Sequence, residues 1–301
     1  MSLAADWGAG LGDVAAALVD LPGEACAARD LPSRDALRNI VESLRIALFC
    51  KQLGPSGLDT DGRRAFVHSS LQEALSSLAR EVAREPDPGS CSPRDDAGGQ
   101  TPAADRVLAF ASTLPEIRRL LRTDLAAALD GDPAARSTTE VLLCYPGFAA
   151  VLYHRLAHSL HVLGARLVAR MIADIAHSDS GIDIHPGVVV GERFFIDHGT
   201  GVVIGETTII GAGVRLYQGV TLGARSFPVD AAGQIIRGAP RHPILEDDVI
   251  IYAGATILGR VVVGEGSVIG GGVWLTRGVP AHSQILQAAV RADSFADGAG
   301  I

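Results

Sequence analysis

The sequence predicts an α+β protein, with an N-terminal α-helical domain followed by a C-terminal parallel β-helix. Residues up to about 180 place apolar side chains at helical spacing. From about residue 182, glycine becomes frequent and aliphatic residues recur every six positions. A six-residue period fits neither an α-helix nor an alternating strand, but it fits a solenoid in which each short strand and turn uses six residues.

The composition narrows the class of protein. Of 301 residues, 48% are hydrophobic, which is enough for a sizeable core. The net charge of −8 argues against nucleic-acid binding. Four scattered cysteines without a C-x-x-C pair make a disulfide framework or a cysteine metal site improbable. The first residues lack the pattern of a signal peptide, and no uncharged apolar stretch is long enough to span a membrane, so we expect a soluble cytoplasmic protein.

Residues 1–102 are predicted to form an N-terminal helical extension. A helix over 33–54 has Ser33 as its N-cap and ends at Gly54, and a second helix covers about 62–84. One face of the first helix is apolar, through Leu37, Ile40, Val41, Leu44 and Leu48. Residues 85–102 are rich in Pro, Gly, Ser and Asp, which is typical of a disordered linker.

Residues 103–180 are predicted to form a second helical domain. Pro115 is expected to begin a new helix, capped by Ser112 or Thr113. Further helical segments follow over 141–160 and 164–177.

Residues 181–287 carry the six-residue repeat, and residues 288–301 form a flexible tail. Two sets of aliphatic residues keep the spacing: Ile204, Ile210, Leu216 and Leu222, then Ile251, Ile257, Val263, Ile269 and Leu275. An earlier set, Ile184, Val190 and Ile196, leads the first by eight, so the phase slips by two around Asp197 and His198. Residues 224–243 interrupt the repeat, which predicts a loop leaving one face of the solenoid.

Several short stretches together resemble the serine O-acetyltransferases, a family within the hexapeptide-repeat acyltransferases. They are DIHP (183–186), DHGTGVVIGE (197–206), VTLG (220–223), RHP (241–243), GATILG (254–259) and, upstream, GDPAARS (131–137) and PGF (146–148). The resemblance covers residues 103–287. It implies a left-handed β-helix, acetyl transfer from acetyl-CoA to L-serine as the first step of cysteine biosynthesis, inhibition by cysteine, and a trimer or a dimer of trimers.

His198 is the candidate general base. The serine hydroxyl is a poor nucleophile near neutral pH, and an imidazole can take its proton during attack on a thioester. By resemblance, Asp183 orients His198 and stabilises its protonated form. A buried structural histidine and a turn-capping aspartate are the alternative interpretations of these two residues.

The remaining site residues are also assigned by resemblance. Asp132 and Asp197 are expected to bind the ammonium of L-serine, and Arg241 with His242 its carboxylate. Asp132 as a helix terminator and Arg241 as a solvated loop charge are the alternatives. Ala253 and Gly254 are expected beside the pantetheine arm of acetyl-CoA, in a groove between adjacent β-helices, unless they serve only coil packing. No metal cofactor is expected.

Two further regions bear on the function that the resemblance implies. The segment 224–240 places the chain in a longer-loop subgroup, which bears on acceptor choice. The C-terminal Ile301 follows an acidic, glycine-containing stretch. In the family such an end inserts into O-acetylserine sulfhydrylase, whereas a plain disordered terminus is the simpler interpretation.

Three rival functions remain open from the sequence. His185, His198 and His242 allow a zinc site like that of β-helical carbonic anhydrases. Acetyl transfer to another hydroxyl compound, such as an antibiotic or a sugar, is the second alternative. A non-catalytic scaffold is the third alternative, because solenoids often only assemble other molecules.

Overall fold

The structure is a computed structural model that describes residues 8–19, 30–86, 101–227, 229–230, 233–236 and 238–287. The chain divides into two compact units. One contains the helix α1, and the other contains residues 32–85 and everything from residue 101 onward. Most of the predicted linker (87–100) and the whole predicted tail (288–301) lie outside the described residues.

Eight helices precede the strands in the described part of the chain. They are α1 (Gly8–Val19), α2 (Arg34–Leu48), α3 (Cys50–Leu53), α4 (Thr60–Ala83), α5 (Ala103–Gly131), α6 (Thr138–Cys144), α7 (Pro146–Val162) and α8 (Arg166–Ser180). The predicted N-cap is confirmed, because the Ser33 hydroxyl accepts a hydrogen bond from the Ala36 amide. Among the helices of the described residues, none combines the length and the apolar character needed to cross a membrane.

The prediction of a new helix at Pro115 is wrong. Helix α5 runs through this proline without a break. Proline removes one backbone donor and disfavours a helix interior. The apolar stripe nevertheless continues on both sides of it, since Phe110, Leu114, Ile117 and Leu121 are all buried. Packing of this stripe outweighs the local cost of the proline.

Helices α2 and α4 to α8 pack around one core rather than two. Helices α2 and α4 contribute Leu37, Leu44 and Leu78 to the same buried cluster as Phe110 of α5 and Leu156 of α7. Residues 32–85 therefore share a compact unit with residues 103–180, whereas the sequence placed a boundary at residue 102.

The strands form three parallel sheets that wrap around a second core. Sheet A contains β1 (Asp183–Ile184), β4 (Val203–Ile204), β7 (Thr221–Gly223), β10 (Thr256–Leu258) and β13 (Trp274–Leu275). Sheet B contains β2 (Val189–Val190), β5 (Ile209–Ile210), β8 (Ile244–Leu245) and β11 (Val262–Val263). Sheet C contains β3 (Phe195–Ile196), β6 (Arg215–Leu216), β9 (Ile250–Ile251), β12 (Val268–Ile269) and β14 (Gln284–Ile285). From β1 to β13 each strand pairs with the third strand after it, so the chain visits the sheets in the order A, B, C and repeats. After β13 the chain makes only an isolated bridge to sheet B, between Val263 and Val279, and β14 pairs with β12 in sheet C.

The six-residue periodicity is confirmed by burial. The repeated aliphatic side chains point into the prism, and all of those predicted from Ile204 to Ile269 are buried. Leu275, at the last repeat, is partly buried against the same core. This core is distinct from the helical core, although Ala150 and Val151 of α7 belong to it and Phe195 of β3 belongs to the helical core.

Three coils depart from the regular length, and the last of them is two residues short, since Val268 pairs with Gln284 sixteen residues later. Val203 pairs with Thr221, eighteen residues later, which is three hexapeptides. Asp183 pairs with Val203, twenty residues later, so the first coil holds two extra residues, as the phase slip predicted. Thr221 pairs with Thr256, thirty-five residues later, because this coil contains the predicted loop.

A buried ion pair joins the helices to the first coil. Arg155 of α7 donates two hydrogen bonds to Asp124 of α5, at 2.7 and 2.8 Å. The same guanidinium donates to the carbonyl of Gly191 at 2.8 Å, and the Phe194 amide donates to Asp124 at 3.0 Å. Both charged side chains are almost fully buried. Two helices and the first coil thus share one set of hydrogen bonds.

We expect Asp124→Ala to lower the free energy of unfolding by about 3–5 kcal/mol, because it leaves the Arg155 guanidinium buried and uncompensated. Urea denaturation followed by circular dichroism measures this loss. Glu116→Ala, which removes an exposed partner of Arg119, is the matched control and should leave the midpoint unchanged. Equal effects of the two substitutions would contradict this account of the joint.

Candidate active site

The three sheets meet at three corners, and six of the eight predicted site residues lie on two of them. The C–A corner, between a strand of sheet C and the next strand of sheet A, contains residues 197–202, 217–220, 252–255 and 270–273. The A–B corner contains residues 185–188, 205–208 and the end of the long loop, 239–243.

His198 occupies the enlarged turn of the first coil. Its backbone is left-handed, with φ of 56°, and Gly199 follows with φ of 89°. A left-handed conformation costs a non-glycine residue about 1–2 kcal/mol. A Cβ atom on Gly199 would lie 2.4 Å from Cδ1 of Ile182, so only glycine fits there. The two extra residues thereby turn the imidazole outward, and its side chain is 77% exposed.

The carboxylate next to the imidazole is that of Asp197. Its Oδ1 atom lies 3.8 Å from Nε2 of His198. Asp183 lies at the start of β1, paired with Val203, in the coil that the His198 turn closes. Among the described residues, Asp197 is the acid within ion-pair distance of His198, so the predicted contact between Asp183 and His198 is not formed in the isolated chain.

Asp132 lies at the end of α5, facing the same corner. Its Oδ1 accepts a hydrogen bond from the Ala134 amide at 2.8 Å, and its Oδ2 accepts one from the Tyr145 hydroxyl at 2.5 Å. The bond from Tyr145, then that from Ala134, and the nearby charges of His198 and Arg215 hold the pKa of this carboxyl below its usual range. The same bond raises the pKa of Tyr145 to about 12.

Arg215 of β6 fills the space between α5 and the β-helix. Its guanidinium carbon lies 5.4 Å from the ring centre of Phe195, and its Nη1 donates to the Tyr217 hydroxyl at 3.3 Å. The guanidinium packs so closely on Gly131 that a Cβ there would overlap it. Tyr217 in turn stacks on Tyr252 of the next coil, with ring centres 5.0 Å apart.

Arg241 and His242 lie together at the A–B corner. Nη2 of Arg241 donates to Oε2 of Glu206 at 2.7 Å. Burial disfavours ionisation of Glu206, but the hydrogen bond from Arg241 and the charge of Arg241 lower the pKa of this carboxyl overall. The predicted carboxylate ligand is therefore already paired with an acid in the single chain.

His242 is held with one nitrogen free. Its Nδ1 accepts from the Thr207 amide at 3.0 Å, which leaves Nε2 as the protonated nitrogen of the neutral ring. The ring is buried against Gly205. Burial, followed by the charge of Arg241, lowers the pKa of His242 to about 4. A neutral imidazole with a free N–H can donate to a carboxylate.

Ala253 and Gly254 lie on the C–A corner, two coils beyond His198. Gly254 has φ of 69° and donates its amide to Gln218 of the coil before it. Ala253 accepts from Gly272 of the coil after it. Gly219, Gly254 and Gly272 follow one another along this corner. A Cβ on Gly219 or Gly254 would meet only backbone atoms, whereas Gln287 lies against Gly272.

The three histidines of the zinc hypothesis do not converge. His185 and His242 lie on the A–B corner, whereas His198 lies on the C–A corner. Among the residues that the structure describes, no group of three or more His, Cys, Asp or Glu side chains could hold a metal ion.

The structure thus brings Asp132, Asp197 and His198 into one neighbourhood and places Arg241 with His242 in another. Sequence reasoning missed Tyr145, Arg215 and Glu206. Glu206 is the last residue of the DHGTGVVIGE stretch, so the motif itself carried a signal for it. Nothing in the sequence separates Tyr145 or Arg215 from ordinary packing residues.

Comparison with known families agrees with this architecture. The family described as "Bacterial transferase hexapeptide (six repeats)" matches residues 242–277. The family described as "Serine acetyltransferase, N-terminal" matches residues 96–153, which include Asp132 and Tyr145. Fold and repeat together define a hexapeptide-repeat transferase.

Whole-chain relatives identify the family more closely. A plasmid-encoded serine acetyltransferase of Synechococcus elongatus is 51% identical over 276 residues, covering 90% of this chain and 86% of the relative. A serine acetyltransferase of Mycobacterium tuberculosis is 48% identical over 166 residues, covering 55% of this chain and 69% of the relative. The chain belongs to the serine acetyltransferase family, and it is an acyltransferase.

Solved structures of the family share the fold. Serine acetyltransferase isoform 3 of Entamoeba histolytica, in complex with cysteine, aligns with a TM-score of 0.72 at 30% identity, covering 90% of this chain and 87% of that one. Serine acetyltransferase 1 of the same organism, in complex with L-cysteine, aligns with a TM-score of 0.72 at 36% identity, covering 86% and 88%. The predicted fold class, a helical domain followed by a left-handed parallel β-helix, is confirmed.

We expect stability to fall as the pH drops from about 6.5 towards 4. Burial, followed by the charge of Arg170, lowers the pKa of His185 to about 4, and His242 behaves alike. Between those pH values, a histidine whose pKa is lowered in the folded protein binds fewer protons there than the same histidine binds in the unfolded chain. Lowering the pH therefore favours unfolding. Urea midpoints measured across this range test the expectation.

His185→Asn separates this effect from the carboxylates. Nδ1 of His185 accepts the Gly187 amide at 3.0 Å, and an asparagine oxygen can replace it. The variant should lose less stability between pH 6.5 and pH 4 than the parent protein. An identical pH dependence in both proteins would show that His185 does not contribute.

Proposed function

We propose that this chain transfers the acetyl group of acetyl-CoA to the hydroxyl of L-serine, with His198 as the general base. The observation that carries the proposal is the enlarged first coil, which turns His198 outward beside Asp197 and towards Asp132. An exposed imidazole between two fixed carboxylates suits an acceptor that carries both a hydroxyl and an ammonium. The serine acetyltransferase relatives support this choice of acceptor.

His198 accepts one proton from the acceptor and later donates it to the leaving group. Its neutral imidazole takes the proton of the serine hydroxyl as the oxygen attacks the thioester carbonyl. A new C–O bond forms, the C–S bond breaks, and the imidazolium returns its proton to the departing thiolate of CoA. Asp197, and Asp183 once the site is assembled, stabilise the imidazolium.

Serine binds through its two charged ends. Asp132 and Asp197 receive the ammonium, because both carboxylates face the corner that presents His198. Arg241 and the free N–H of His242 receive the carboxylate. When the serine carboxylate binds there, Arg241 gives up part of its hydrogen bonding with Glu206 and donates to the substrate instead.

One β-helix cannot supply both ends of this site, since His198 and Arg241 lie on different corners of the prism. A ring of three chains resolves the problem, because the C–A corner of each chain then meets the A–B corner of the next. Acetyl-CoA lies in the groove so formed, along the uncovered backbone at Ala253 and Gly254. The long loop leaves from the A–B corner, so it reaches this groove and bears on acceptor choice.

The shared site predicts complementation between inactive variants. His198→Ala alone should lower the rate of CoA release by about 10²–10⁴-fold, and Arg241→Ala should weaken serine binding. When the two chains are co-expressed with different tags, each mixed trimer contains one site in which both residues are intact. Activity of the purified mixed trimers should recover to about one third of the parent value.

Thiol release with L-serine and acetyl-CoA measures this recovery. The control is a mixture of the two homotrimers prepared separately and not allowed to exchange. Recovery in that control as well, or none in the mixed trimers, would place the whole site within one chain and contradict the proposal.

Cysteine is proposed to inhibit by occupying the serine site, since it differs from serine only in a sulfur atom. The Entamoeba structures in complex with cysteine support this. We place the reaction in the cytoplasm, where free thiols persist.

The C-terminal Ile301 is proposed to bind O-acetylserine sulfhydrylase, with its carboxylate imitating an amino-acid substrate. We expect deletion of Ile301 alone to abolish co-purification of the two proteins while leaving acetyl transfer unchanged. Retention of the sulfhydrylase by the shortened chain in a pull-down would remove this partner.

A further inference from the structure

Tyr145 lies where the helical domain meets the catalytic corner. It ends α6 and precedes α7, and Pro146 behind it favours an extended backbone at this residue. Gly147 then packs directly on the first coil, since a Cβ there would lie 2.0 Å from the carbonyl oxygen of Ile196. Ile196 immediately precedes Asp197 and His198. The position of Tyr145 is therefore fixed relative to both site residues.

The Tyr145 hydroxyl makes the shortest contact that Asp132 receives. At 2.5 Å it lies at the short end for a hydroxyl bound to a carboxylate, which is the range of charge-assisted bonds. With the Ala134 amide on the other oxygen, each carboxylate oxygen of Asp132 has one fixed donor. Each oxygen keeps further lone-pair capacity, so the carboxylate is oriented without being saturated.

The charges around Tyr145 indicate what Asp132 is oriented towards. The charge of Asp197 contributes to the raised pKa of the Tyr145 hydroxyl. The charges of His198 and Arg215 contribute to the lowered pKa of the Asp132 carboxyl. Two carboxylates and an exposed imidazole thus face one space. The neutral Tyr145 hydroxyl donates a hydrogen bond to Asp132 and so fixes the orientation of this carboxylate beside that of Asp197.

We infer that Tyr145 is a positioning residue that sets the preference of the site for an acceptor carrying an ammonium group. It acts through Asp132: the phenol holds the carboxylate ionised and aimed at the cation, and it takes no part in proton transfer. The inference rests on the proposed function, because it concerns the amine end of the same acceptor.

The test compares two acceptors in Tyr145→Phe, which keeps the ring and removes only the hydroxyl. With L-serine, KM should rise about tenfold while kcat and the KM for acetyl-CoA stay unchanged. With 3-hydroxypropionate, which lacks the ammonium, kcat/KM should not change. Tyr153→Phe, the same substitution within α7, is the control and should change neither acceptor. Equal losses for both acceptors, or no loss for L-serine, would overturn the inference.

A double-mutant cycle with Asp132→Asn shows whether Tyr145 acts through Asp132. In the Asp132→Asn background, Tyr145→Phe should cause no further rise in the KM for L-serine, whereas independent, multiplying effects would contradict the inference. If Asp132→Asn raises this KM and Tyr145→Phe does not, only the role of Tyr145 fails. If Asp132→Asn leaves it unchanged, the amine site of the proposed function fails, and the inference fails with it.

Discussion

The buried pair of Asp124 and Arg155 is the interaction on which the arrangement of the site depends. The β-helix forms most of its core from its own six-residue steps, and α7 adds Ala150 and Val151 to that core. The ammonium end of the proposed site, however, is carried by Asp132 at the end of α5, while the imidazole is carried by the first coil. Arg155 and Asp124 bind α5 and α7 to the backbone of that coil at Gly191 and Phe194. A buried ion pair adds little net stability, but separating its partners would leave each charge buried and uncompensated. The pair therefore fixes the orientation of α5 and α7 relative to the first coil.

The second constraint is the length of the first coil. A regular coil of eighteen residues would bring each corner residue into line with those above and below it. The first coil has two additional residues, so its corner does not align with the corners of the regular coils. The left-handed backbone of His198 and Gly199 turns the imidazole away from the prism. The strain is local, and the regular coils on one side and the helices on the other hold it in place. Functional residues commonly lie at such departures from a regular fold.

The sequence predicted the solenoid well because its signal is periodic. Burial of one aliphatic residue in six repeats so often that single exceptions do not hide it, and the two coils with extra residues were visible as breaks in phase. The shortened last coil was not identified from the sequence. Pro115 shows the opposite case: a local preference against helix is overridden by packing that only the folded chain reveals. The packing of α2 and α4 on helices far along the chain could not be predicted from the sequence either.

The site residues proposed from the sequence all rest on short motifs. Asp183, His198, Arg241 and His242 lie in short, recognisable stretches, yet their division between two corners follows from the coil geometry. Tyr145 and Arg215 carry no sequence signal, because their roles arise from contacts between elements that are distant in sequence: Tyr145 with the end of α5, and Arg215 with Gly131.

The central claim is that the outward-turned imidazole removes a proton from the hydroxyl of serine. A crystal structure of the assembled protein with L-serine and CoA tests it most directly. The account predicts that the serine oxygen lies about 2.6–3.2 Å from a ring nitrogen of His198, with the ammonium on Asp132 and Asp197. A serine bound with its hydroxyl away from this ring, or held entirely by one chain, would contradict the account.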